Sequence, residues 1–444
     1  MKNKAYECAT CGFYKKQWQY FGIPVKNSIF PNTGVETVNQ WVEPYDGNKW
    51  RPAPYSPDTD LKAFKGYETT NSSTTLPNKI YNFTGILNVG DISVPLTKTS
   101  NVNYSGMNLI GNSYTAAIPI SKNAINYSSG LLGEETVYLF NTGTRDQWRK
   151  LNGATATGIS GGQYQAVPFN LAGQGTLPDR ILSMHTFMLN ASTAGSITLK
   201  YAELKKNELI NQSAWRSLKN SAEQLPHIIM DIIGNTSADR VWLFEESTTT
   251  TSFDSGWDGY KILEDSLVQI YVSGDDKEMY QIATVPKMTG TTFETKATKD
   301  DSYTLNLSVT PDIENRNLYL RDLSTGHPYP IVNNAEYLIN RISNSAKSGF
   351  EIVSGNSILS ENDKESSLIN ITVNNNIITV ANQSAIDCTA TIYDLTGKKL
   401  ATKTVNKYSV EYLSEHTPLL NGVYIVKVTS SEQSIKKTSR VLVK

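Results

Sequence analysis

Long apolar runs are missing from these 444 residues, and metal-binding or nucleophilic side chains are sparse, with four histidines and three cysteines. No stretch reaches the roughly 18 apolar residues that a membrane-spanning helix needs. Neither sign of charge dominates. Lys plus Arg number 41 against 42 Asp plus Glu, a formal net charge of -1. That balance gives no electrostatic pull towards nucleic acid or anionic lipid, and no nucleic-acid partner is expected. The start, Met1-Lys-Asn-Lys-Ala-Tyr-Glu-Cys8, is basic but lacks the apolar core of about 7–15 residues that a signal peptide carries. Cys8-Ala-Thr-Cys11 is a lone C-x-x-C pair, and no second Cys or His pair follows at zinc-ligand spacing. Free thiols or an incidental disulfide, half of a metal site completed upstream, and a redox pair all stay open. No H-E-x-x-H, no P-loop and no dinucleotide fingerprint occurs, so no cofactor is expected.

What is present is tyrosine, 24 in all, with abundant Ser, Thr, Asn and Gly. This is the composition of exported, many-turned β proteins. Alternating runs recur throughout: 79–87, Val137–Phe140, Ser196–Tyr201, Arg240–Phe244, 267–272, Tyr303–Val309, Asn317–Leu320 and Gly349–Val353. Gly, Asn, Asp and Pro punctuate them, which predicts an all-β chain of tandem antiparallel sandwich-like domains, jelly-roll or immunoglobulin-like. Residues 204–225 allow either a helix, with Ala214, Leu218, Ala222 and Leu225 on one face, or a polar connection. We expect β modules at 1–203 and 204–355. A Ser-rich linker at 356–367 and a small immunoglobulin-like sandwich at 368–444 complete the chain.

The last segment is the most specific. It reads Leu368-Ile-Asn-Ile-Thr-Val, Ile377-Ile-Thr-Val, then Cys388-Thr-Ala-Thr-Ile-Tyr-Asp-Leu-Thr-Gly-Lys-Lys-Leu. Asn421-Gly-Val-Tyr-Ile-Val-Lys-Val and Ser439-Arg-Val-Leu-Val-Lys444 follow. In order, spacing and terminal position this set resembles the type A C-terminal sorting domain of the type IX (Por) secretion system. The resemblance rests on a YDLTGK hairpin with Asp394, Gly397 and Lys398, and a GVYIVKV strand with Gly422, Tyr424 and Lys427. A basic terminal strand with Lys437, Arg440 and Lys444 completes it. We expect Gly397 and Gly422 in turns that favour positive φ. The resemblance implies the type IX translocon and its sortase as partners, a lipopolysaccharide anchor, and a secreted or outer-membrane surface location. Such cargo first crosses the inner membrane by the Sec route. With no signal peptide visible, the sequence is expected to be the C-terminal piece of a longer protein or a truncated reading frame.

The preceding region also resembles known proteins. Gly106-Met-Asn-Leu-Ile-Gly-Asn112-Ser-Tyr-Thr-Ala-Ala-Ile is similar to a GWNLIGNPYPSAI segment of large, adhesin-like surface proteins with this sorting domain. Ser113 and Thr115 stand where those proteins have Pro. Trp18–Pro24, Phe83–Asp91, Asp239–Glu245, Phe253–Lys261 and Leu318–Gly326 extend the resemblance in the same order.

A search for chemistry yields weak matches. Gly158-Ile-Ser160-Gly-Gly162 has the G-x-S-x-G form, but a strand-like run ending at Pro168 follows where the nucleophile elbow needs a helix. A plain loop is expected. Asp254 and Asp258 flank Gly256, which leaves a calcium loop without its middle ligand and its distant Glu. A structural turn is expected there and at Asp275-Asp276. His185, His227, His327 and His416 are scattered. Trp41, Tyr45, Trp50 and Tyr55 crowd one stretch, in the manner of sugar-stacking aromatics or of a thin sandwich core. The reading that follows is an exported, non-catalytic cell-surface β protein with a structural or adhesive role and an unidentified surface ligand. The alternatives are the tail of a secreted hydrolase and a carbohydrate-binding module.

Overall fold

Period-two alternation governs the folded chain, and nearly every regular element is a strand. The computed structural model describes residues 2–4, 6–8, 13–15, 18–31, 36–71, 78–141, 162–207, 224–234, 237–263, 268–296, 302–340, 349–355, 369–374, 377–382, 384, 386–414, 419–430 and 435–443. Most of the ambiguous 204–225 stretch and all of the 356–367 linker lie outside these. Two compact units result, Met1–Ile352 and Val353–Lys444.

In the first unit, the strands Gln19–Phe21, Tyr67–Asn71, Glu36–Trp41 and Trp50–Pro52 form an antiparallel sheet in that order. Phe21 pairs with Tyr67, and both turn to a small core with Ile23, Val25 and Leu61. Tyr20, Glu68, Asn39 and Trp41 fall on the opposite face, because Tyr20 pairs with Glu68, Glu68 with Asn39, and Trp41 lies two residues beyond Asn39. That face meets a second antiparallel sheet, ordered Met107–Gly111, Thr186–Asn190, Thr136–Asn141, Gln163–Pro168. Glycine lets the backbones approach: a Cβ on Gly22 would sit 2.7 Å from the Gly111 Cα, and Gly66 donates its N–H to the Leu109 carbonyl at 3.1 Å. A three-stranded sheet, Ile92–Leu96, Gly195–Leu199, Ile125–Asn126, shares the large core beneath, through Val94, Ile197 and Leu199 against Val137 and Phe187.

Beyond residue 226 the chain builds its widest sheet. Its path runs Pro328–Pro330, Leu318–Asp322, Gly349–Ser354, Thr292–Lys296, Gln269–Ser273, Met279–Val285, Ala238–Glu245, His227–Ile233, Ser302–Val309, Glu336–Asn340. One pair, Ala238–Glu245 with Met279–Val285, is parallel, a departure from the antiparallel expectation. The central strand His227–Ile233 is buried at every residue. Its two faces serve different cores. Ile229, with Trp242, Phe244 and Ile282, joins the core of the preceding sheets. Ile228, Met230 and Ile232 pack with Val241 and Leu243 on the other side. Both faces being covered, the strand reads as a continuous apolar run rather than an alternation. The 79–87 run differs from expectation: only Asn78–Ile80 is strand, and the rest is irregular apart from a Val25–Leu87 bridge.

Among the described residues, the second unit is a seven-stranded sandwich. One sheet is Ile369–Asn374, Ile377–Asn382, Ser409–Tyr412; the other is Lys399–Val405, Cys388–Tyr393, Gly422–Ser430, Lys436–Val443. Ile378, Val380, Ala390, Ile392, Val426 and Val428 fill the space between them with no exposed surface.

Candidate functional site

The chemical motifs resolve into structural roles wherever they are described. Gly158 to Gly161, Ser160 included, lie outside the described residues, while Gln163–Pro168 is the strand expected after them. Asp258 is buried, and its carboxylate accepts the Thr284 and Asp254 N–H groups at 2.7 and 2.6 Å. Asp254 accepts from the Thr250 N–H and hydroxyl. The pair therefore ties a turn, as expected of Asx geometry. Asp276 does the same for the Phe253 and Glu278 N–H groups. Among the described residues, no three His, Cys, Asp or Glu are placed to hold a metal ion. The Cys388 thiol is buried and donates to the Ile386 carbonyl at 3.7 Å, Cys8 belongs to the strand Tyr6–Cys8, and Cys11 and His416 lie outside the described residues.

The segment 106–118 is a buried hub. Asn112, fully buried, donates from Nδ2 to the Ala116 and Ile181 carbonyls at 2.9 Å each, and its Oδ1 accepts the Tyr114 N–H. Ser113 accepts the Phe64 N–H at 2.7 Å. Side-chain hydrogen bonds thus hold a turn in which proline is absent.

The feature with the chemistry of a binding site is a pocket of about 620 Å³ where the first sheet faces the second. Trp41 and Trp50, opposed across neighbouring strands, meet edge to face at 5.3 Å and 79°. Tyr20 lies against Trp50 at 4.9 Å and stacks on Phe140 at 3.9 Å. Phe140 pairs across the ladder with Tyr164, whose hydroxyl donates to that of Tyr20 at 3.2 Å. Trp41 is oriented by its indole N–H, which donates to the Met107 carbonyl at 2.7 Å. Tyr104 stands at the rim, 60% exposed, 6.0 Å from Trp41. Amid these rings sits Glu68, only 5% exposed, accepting one hydrogen bond from Asn39 at 2.8 Å. Burial pushes its pKa up to about 7, since removing a carboxylate from water disfavours its charge. Of the crowded aromatics, Trp41 and Trp50 line this pocket; Tyr45 instead carries the Arg51 guanidinium 4.0 Å over its ring, and Tyr55 is not in the lining. Sequence reasoning missed Tyr20, Glu68, Tyr104, Phe140 and Tyr164, which strand register and sheet packing bring together.

In the second unit the YDLTGK hairpin is closed by Asp394. One oxygen accepts the Thr396 N–H, the Thr396 hydroxyl and the Lys398 N–H, at 2.9, 2.6 and 3.0 Å. These bonds hold its carboxyl below the usual range. Gly397 has φ +86°. Gly422 corrects the expectation of a turn: it opens the strand Gly422–Ser430, pairs with Val443, and is absent from the positive-φ glycines. The buried Tyr424 donates its hydroxyl to the Leu420 carbonyl at 2.8 Å. Lys427 faces outward opposite Thr438, Arg440 opposite Ile425, and Lys437 reaches the Ile369 carbonyl on the other sheet. Lys444 lies outside the described residues.

Residues 366–444 match the family described as Secretion system C-terminal sorting domain. Residues 5–354 match the family described as Domain of unknown function (DUF8693). The chain is also 43% identical over 443 residues to the minor fimbrium subunit Mfa5 of Porphyromonas gingivalis, covering 97% of this chain and 35% of that protein. It therefore spans about a third of the length of the curated relative it matches. Among solved structures, the BSP domain of a biofilm associated protein covers 100% of this chain and 95% of its own at 10% identity. Its TM-score of 0.14 is too low to bear on the fold. The C-terminal domain makes this an exported, cell-surface β protein handled by the type IX machinery. The chain belongs to the DUF8693 family, here joined to a secretion-system C-terminal sorting domain.

Proposed function

We propose that this chain is a non-catalytic, structural or adhesive component of the bacterial surface, acting with fimbriae. The identity to a minor fimbrium subunit supports this reading, because it runs through passenger and sorting domain alike. In this reading residues 1–203 and 204–355 are two β modules of one passenger, and 356–367 is the linker near which the sortase cuts. The translocon and sortase act on 368–444, and the passenger is left anchored to lipopolysaccharide. Asp394, Gly397 and Lys398 shape the signal's hairpin, Gly422, Tyr424 and Lys427 carry its central strand, and Lys437, Arg440 and Lys444 give the terminal strand its basic character.

The test is sheared fimbriae from a type IX-competent host, probed with antibody against the passenger. Passenger co-purifying with the filaments and decorating them in immunogold images is the expected result. Passenger confined to the periplasm, or on the surface but never with filaments, would refute the corresponding half of the proposal.

A further inference from the structure

We propose that the aromatic pocket of the first unit binds the ammonium group of a lysine side chain presented by another protein, between the faces of Trp41, Trp50 and Tyr20 and the Glu68 carboxylate. The inference stands on the pocket itself and does not depend on the fimbrial reading.

The carboxylate is the main argument. Glu68 lines the pocket and is 5% exposed, yet its one side-chain hydrogen bond comes from the neutral Asn39. A buried carboxylate without a cation is costly, and pairing relieves the cost. Among the described residues no cation pairs with it. The nearby amine, Lys49, is committed elsewhere, donating to the Glu43 and Tyr45 carbonyls at 2.5 and 2.6 Å. The rings supply the second attraction, since the faces of Trp and Tyr favour a cation electrostatically. Glu68 needs N–H donors, which a primary ammonium brings and a quaternary one lacks. A sugar platform is disfavoured by the ring planes. Trp41 is turned 79° from Trp50 and 67° from Tyr104, Trp50 is turned 64° from Tyr20, and one face of Tyr20 is already taken by Phe140. The volume, about 620 Å³, leaves room for the flanking peptide as well as the side chain.

Charge linkage follows. The ionisable groups around Glu68 are Tyr20 and Tyr164 from the two sheets, Tyr104 at the rim and Lys49. Burial holds the Tyr164 hydroxyl well above its ordinary pKa. Glu68 is therefore the group whose proton competes with the ligand, and affinity falls as pH drops through about 7.

The experiment titrates the full chain with n-butylammonium, a lysine side-chain mimic, at about pH 8, following tryptophan fluorescence. A saturable change is expected, weakened about tenfold or more by Glu68→Gln, which keeps the shape, and about tenfold with the neutral n-pentanol. Tyr104→Asn tests the rings at an exposed site whose left-handed backbone (φ 53°) asparagine tolerates, and it should weaken binding several-fold. The proposal is overturned by n-pentanol binding as tightly, by unchanged affinity in Glu68→Gln, or by tetramethylammonium outbinding n-butylammonium. It is equally overturned if the cation gives no saturable response, whether or not a methyl glycoside does.

Discussion

Lys261 donates to both carboxylate oxygens of Asp239, at 2.5 and 2.6 Å, with the two side chains only 2% and 0% exposed. Asp239 also accepts the Ile270 N–H at 2.9 Å, so this closed pair fastens the strand Ala238–Glu245 to Gln269–Ser273.

Removing one partner leaves the other charge buried and alone. Asp239→Leu or Lys261→Met should each cost about 3–5 kcal/mol, and the double variant should recover much of that loss. The seven tryptophans end at Trp257, so fluorescence-detected urea unfolding of the full chain reports this unit. A double variant no more stable than the worse single one would contradict the account.

The strands and the sorting domain were legible because alternation and turn chemistry are local. Val426 and Val428 announce their face by period two, and Gly397 announces its turn. Gly422 misled because a glycine before an apolar run reads as a turn, whereas the ladder continues through it to Val443. The pocket was half legible. Trp41 and Trp50 are nine residues apart, but Tyr20, Glu68, Tyr104, Phe140 and Tyr164 come from distant segments. Their convergence is a property of register and sheet packing, which a single sequence does not print.

Stability should depend on pH in an unusual direction. Burial raises the carboxyls of Glu68, Glu134 and Asp258 to about 7. Each is raised above its unfolded value, so its contribution is fully present below that value and is lost as pH rises through about 7. His185, whose pKa is lowered by burial, works the other way only below its ordinary 6.5. The fluorescence-detected urea midpoint should therefore climb as pH is lowered from about 8 to about 6.5. A flat or falling profile over that window would show that these carboxyls titrate normally.

The hairpin of the sorting domain separates two glycines that look alike in sequence. Gly397 has φ +86°, so a valine there is strained. Gly422 has no positive φ, and a Cβ there would meet nothing closer than 3.8 Å. Gly397→Val, and Asp394→Ala through three lost hydrogen bonds, should speed amide exchange across Cys388–Val405 in the full chain. Gly397→Val should destabilise the hairpin by about 1 kcal/mol or more and Asp394→Ala should act in the same direction, while Gly422→Val should change little. Equal effects at both glycines would mean that the turn does not sit where Asp394 closes it.

The terminal strand gives the last expectation. Lys436–Val443 pairs with Gly422–Ser430 from Gly422–Val443 to Thr429–Lys436. It also places Val441 and Val443 in the core and anchors Lys437 on the Ile369 carbonyl. Removing residues 437–444 would uncover one edge of the central strand and open the core between the sheets. The triple replacement of Lys437, Arg440 and Lys444 by Gln instead spares both valines and removes the charges together with the Lys437 contact to the Ile369 carbonyl. In a type IX-competent cell, with a Sec signal peptide supplied, the truncated chain should stay in the periplasm. If the machinery reads the fold, the triple variant should reach the surface; if it reads the basic residues, that variant should be retained too. Surface biotinylation of both variants separates the two mechanisms, and export of the truncated chain at the normal level would rule out any role for the strand.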